Sequence, residues 1–100
     1  MIKEFRIGGI KYNVEVVDQL RDGNALLYGL HIPIEAKIKI AESVSEKKVN
    51  PDIMDVTFFH ELLHAMIHVT AFKFPDEEME EDFVERLSYV FLEYEQSKIY

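Results

Sequence analysis

His60-Glu61-Leu62-Leu63-His64 sets two imidazoles four residues apart, with a carboxylate beside the first. On a helix that step rises about 6 Å and turns about 400°, so both rings leave the same face. Two ring nitrogens there can reach one zinc ion at roughly 2.0–2.1 Å. Glu61 stands one position round the helix, beside the metal rather than on it. It is placed to take a proton from a water that zinc acidifies. The bland alternative is an amphipathic helix whose histidines only hydrogen-bond. The motif falls within a segment of helical periodicity, the setting its chemistry requires, and this favours the metal reading.

The chain has no cysteine, so any metal site draws on His, Asp and Glu. His68 continues the series, but it would lie about 12 Å along the helix axis from His60, too far to share an ion. A structural or supporting role suits it better. His31 lies among strand-forming residues and reads as a partly buried histidine. The third ligand is expected from the acidic stretch Glu77, Glu78, Glu80, Glu81, Asp82 and Glu85. Most of these form a solvated face. A catalytic zinc needs one more protein ligand and keeps a position open for water. Glu81 and Glu85 share a helix face, so one could bind metal while the other orients a histidine through its free ring nitrogen. Glu80, nearer the apolar stripe, is the rival ligand.

The elements that must position these groups differ between the two halves. Phe5-Arg6-Ile7, Gly8-Gly9 and the alternating Ile10 to Val16 predict a hairpin. Arg21-Asp22-Gly23-Asn24 is a second turn. Ala25 to Ile32 reads as one strand, with Gly29 a bulge or a point of close approach. Pro33-Ile34-Glu35 interrupts, and Lys37-Ile38-Lys39-Ile40 reads as an edge strand with its lysines in solvent. Three or four short strands are expected. Asn50 is a plausible N-cap before Pro51, and Ile53, Val56, Phe59, Leu63, Met66 and Ile67 mark a helix to about Val69. Phe72-Lys73-Phe74-Pro75 connects it to a second helix from about Asp76 to Gln96. Its apolar positions are Met79, Phe83, Val84, Leu87, Val90, Phe91 and Tyr94, and its acidic first turn suits the positive end of the helix dipole. The expected class is α+β: a small three- to four-stranded sheet, antiparallel or mixed, on two helices.

One hundred residues without repeat or linker predict a single domain over 1–100, and 48% hydrophobic residues suffice for a core. A net charge of −8 disfavours nucleic acid. The start has no secretory h-region, and no apolar run approaches the ~20 residues that span a bilayer, so no membrane association is expected. The lack of cysteine fits a reducing cytoplasm. A homodimer through an apolar edge or helix face is left open.

Thr57 to Met66 and Glu80 to Leu87, taken together, resemble the minimal gluzincins, a group of small H-E-x-x-H zinc proteins that includes the minigluzincins. A more distant similarity is to the metallopeptidase domain of phage-related regulators that cleave repressors. The resemblance implies a zincin-like fold with one zinc per chain, His60, His64 and Glu81 as ligands, Glu61 as general base and Glu85 as support for a ligating histidine. It also likens Ala36 to Ile40 to the family's edge strand, which binds extended peptides through its backbone. The chain departs from the pattern in having no glycine inside the motif and no separate substrate domain. His31, Tyr28 and His68 are the candidates for stabilising an oxyanion. The expectation is a zinc-dependent hydrolase of peptide or protein substrates. The alternative is an inactive or latent zincin-fold module that binds a protein around a structural zinc.

Overall fold

The computed structural model describes residues 1–99. Its centre is a four-stranded mixed sheet in the order β1-β2-β6-β5, with the first helix packed on one face and the second helix packed against the first. β1 (Glu4–Ile7) and β2 (Ile10–Val17) form the hairpin through Gly8 and Gly9, both at positive φ, which glycine adopts without a steric penalty. A Cβ at Gly8 would lie 2.6 Å from Val69 Cγ1, so this turn is also where the hairpin meets the first helix. β6 (Lys37–Ala41) runs parallel to β2, pairing Val14 with Ile38 and Val16 with Ile40. β5 (Gly29–Ile32) closes the order antiparallel to β6, pairing His31 with Ile38. β3 (Leu20–Asp22) and β4 (Ala25–Leu27) form one outlying ribbon, and β7 (Ser43–Val44) and β8 (Lys47–Lys48) form another.

Two expectations are corrected. Ala25 to Ile32 is not one strand: it breaks at Tyr28, with the first part pairing β3 and the second pairing β6. The Lys37–Ile40 stretch is not an edge either. β6 has neighbours on both sides, and the edges belong to β1 and β5. The alternation of lysine and isoleucine reports which face a strand presents, and an interior strand of an open-faced sheet alternates just as an edge does. Ile38 and Ile40 are fully buried under the first helix, while Lys37 lies on the outer face, its Nζ 3.1 Å from Glu15 Oε1.

Helix α1 (Pro51–Thr70) starts at Asn50, whose side chain accepts from the Asp52 amide at 2.8 Å, and Ala71 ends it at positive φ. Helix α2 (Glu77–Ser97) starts at Asp76, which accepts from the Met79 amide at 2.7 Å. Tyr12, Val14, Ile38 and Ile40 pack against Phe58 and Ala65 of α1. Phe5 stacks on Tyr12 and meets Phe58 edge-on. α1 therefore serves two neighbours: Phe58 faces the sheet, while Phe59 stacks on Phe91 of α2. This divides the expected stripe and leaves Ile53 and Met66 largely exposed. On α2 only Val84 and Ser88 are buried, and Val90 and Tyr94 lie in solvent. No helix among the described residues is long and apolar enough to cross a membrane.

Candidate metal centre

α1 and α2 are joined by a short connection, so the acids early in α2 lie beside the later turns of α1. His60 and His64 project toward them, with ring centroids 5.0 Å apart. His60 Nε2 lies 2.8 Å from Oε1 of Glu81, and His64 Nε2 lies 3.0 Å from the other oxygen of the same carboxylate. The remaining ring nitrogens have carboxylates of their own. His60 Nδ1 is 3.1 Å from Glu85 Oε2, and His64 Nδ1 is 2.8 Å from Glu80 Oε2. The atoms that His60, His64 and Glu81 could offer an ion all lie within 4.8 Å of one another.

Proton counting tests whether a metal fits. A neutral imidazole has one N–H, and a carboxylate has none. Filling four nitrogen–carboxylate contacts with protons would make both rings imidazolium. If the rings are neutral and donate Nδ1–H to Glu85 and Glu80, both Nε2 lone pairs face the lone pairs of Glu81. A cation among them turns that repulsion into coordination. Ligands at zinc distances in a tetrahedron stand about 3.3 Å apart, and the three groups already offer atoms within 4.8 Å of one another, so modest side-chain shifts would seat an ion. The donor set of two imidazoles and one carboxylate suits zinc, and Nδ1 contacts to carboxylates are the usual support for zinc-bound histidines.

Glu61 sits on the sheet side of this cluster, half-buried against the backbone of β5. A Cβ built on Gly29 would lie 3.2 Å from Glu61 Cγ and 2.5 Å from Thr57 Cγ2, so only glycine lets strand and helix come this close. Burial pushes the Glu61 carboxyl up to about 7; His60 opposes that push and the charge of Glu81 adds to it. Glu61 lines two cavities. One, of about 660 Å³, continues past His64 to Leu30, His31 and His68. The other, of about 410 Å³, continues past His60 to Tyr28 and Tyr89.

The sequence-predicted residues His60, His64 and Glu81 are thus brought to one point, with Glu85 behind His60. Glu80 reaches the outer nitrogen of His64 rather than the point between the rings. His68 stays outside the cluster and packs edge-on against His31, their centroids 5.8 Å apart. Burial pushes the His31 imidazole down to about 4, with His68 and His64 adding to that push and Glu80 opposing it. Sequence reasoning missed Tyr12, whose hydroxyl lies 3.0 Å from His31 Nε2. It also missed the supporting role of Glu80. The signal for that role was available: in antiparallel helices, acids at 80 and 85 bracket histidines at 64 and 60 in reverse order. No protein-family model, no curated protein and no solved structure matches this chain.

Proposed function

We propose that this chain is a zincin-like, zinc-dependent peptide hydrolase, with His60, His64 and Glu81 holding the ion. The observation that carries the reading is the convergence of both Nε2 atoms on one carboxylate while both Nδ1 atoms are anchored from behind. Bound zinc would supply Lewis acidity, polarising a carbonyl and acidifying a water. Glu85 and Glu80 accept the Nδ1 protons and hold the rings in register. Glu61, beside the ligand cluster and lining both cavities, takes the proton of the attacking water on its carboxylate and passes it to the departing amine nitrogen. The free edge of β5 offers backbone donors and acceptors to an extended peptide, and the cavities on either side of Glu61 accept its flanking side chains.

Elemental analysis of the purified chain, combined with cleavage of a random peptide library, tests the reading. The expected result is one zinc per chain and hydrolysis that Glu61→Gln abolishes while the zinc remains. Zinc without hydrolysis in the unaltered protein would favour the structural-zinc module, and no zinc would remove both readings.

A further inference from the structure

His31 is the one polar side chain of β5 that faces the helices, and it lines the same cavity as Glu61 and His64. Its Nε2 meets the hydroxyl of Tyr12, which is buried at the centre of the sheet with 1% of its surface exposed. That hydroxyl has no other hydrogen-bond partner among the described residues, so its proton goes to Nε2. The reverse arrangement would strand a buried hydroxyl hydrogen, which costs about 1–3 kcal/mol. With Nε2 accepting, the ring proton of a neutral His31 lies on Nδ1. Nδ1 makes no hydrogen bond within the described chain, yet no buried side-chain nitrogen or oxygen there lacks a partner. Nδ1 is therefore reached by solvent, and the ring that carries it lines the cavity beside Glu61.

We infer that His31 is the hydrogen-bond donor for the substrate carbonyl oxygen, and that Tyr12 acts through it by fixing the Nδ1–H tautomer. A donor fixed before the reaction stabilises charge that develops on oxygen without reorganising as it forms. Burial keeps the ring neutral, so it donates without bringing a cation up to the zinc ligands. His68, edge-on to His31, limits its rotation. Tyr28, the rival from the sequence, lies in the opposite cavity and is half exposed, with nothing to fix its hydroxyl.

The inference rests on the hydrolase reading, and two measurements keep the two apart. Nitrogen-15 NMR of the metal-free chain at neutral pH should show His31 protonated at Nδ1 and bare at Nε2. Tyr12→Phe should shift it toward Nε2–H. An Nε2–H ring in the unaltered chain, or a tautomer indifferent to Tyr12→Phe, overturns the inference without any activity measurement. On a library peptide cleaved by the zinc-loaded protein, His31→Ala and His31→Gln should lose about 100-fold or more in kcat with KM changed little. His31→Asn, whose amide N–H stands near the Nδ1 position, should recover at least ten-fold of that loss. Variants that cleave at the unaltered rate overturn the role of His31 alone, whereas an unaltered protein that cleaves nothing overturns the hydrolase reading and this inference together.

Discussion

His60 meets Glu85 across the helix pair, Nδ1 to Oε2 at 3.1 Å, and this contact leaves its other nitrogen to meet Glu81 at 2.8 Å. Glu80 does the same for His64. Partners of this kind orient a ligating histidine and raise its basicity. Glu85→Ala and Glu80→Ala should each weaken zinc binding about 10- to 100-fold, measured by competition with a chromophoric chelator. Glu81→Ala, which removes a ligand, should weaken it more than either. If Glu80→Ala proved the most damaging of the three, Glu80 rather than Glu81 would be the ligand.

Glu61 gives the metal-free protein a pH signature. Its folded value of about 7 lies above the usual 4.5. The fold therefore favours the protonated form, a preference fully present below pH 4.5 and lost as pH rises through about 7. Urea unfolding at pH 5 and pH 8 should show that loss, and Glu61→Gln should reduce it by on the order of 2–3 kcal/mol. Identical pH dependence in both proteins would show that the carboxyl is not held in this environment. Loading zinc places a cation beside the carboxylate and should move its titration to lower pH.

His31 works in the opposite direction. Its folded value of about 4 lies below the usual 6.5, so the stability of the neutral ring is present above pH 6.5 and is lost as pH falls through about 4. His31→Asn should flatten the decline between these limits, recovering on the order of 2–3 kcal/mol of acid sensitivity. Thermal melts from pH 4 to pH 7 would measure it, and an unchanged acid limb would contradict the burial of the ring.

Gly29→Ala should destabilise the fold by about 1–3 kcal/mol, because its methyl would overlap Thr57 Cγ2 at 2.5 Å. Thr57→Ser removes that carbon, so the double variant should regain much of the loss. A double-mutant cycle measures the coupling, and strictly additive effects would place the clash elsewhere.

Much of the frame was legible because local chemistry wrote it. Asn50-Pro51 and Asp76 mark the helix starts to within a residue, since caps satisfy amides that no other local group can reach. The four-residue step of His60 and His64 carries its own geometry. Sheet order was not legible: Lys37 to Ile40 alternates because of its two faces, and nothing in the strand records that β5 returns to cover its edge. The division of labour among Glu80, Glu81 and Glu85 was only half legible. It depends on the rotation of α2 about its axis, which is set by the packing of Val84, Ser88 and Phe91 rather than by any local signal. The Tyr12–His31 contact joins residues 19 positions apart through β6, and only the assembled sheet brings them together.

The sparse burial of α2 has a mechanical corollary. Val84 and Ser88 are its only buried residues, while three of its acids grip two histidines of α1. An ion seated among those groups becomes a rivet through both helices, and its binding free energy adds to the cohesion of the whole domain. With zinc bound there, the chemistry and the scaffold would share one fastener: withdrawing the ion would also loosen the wall of the cleft.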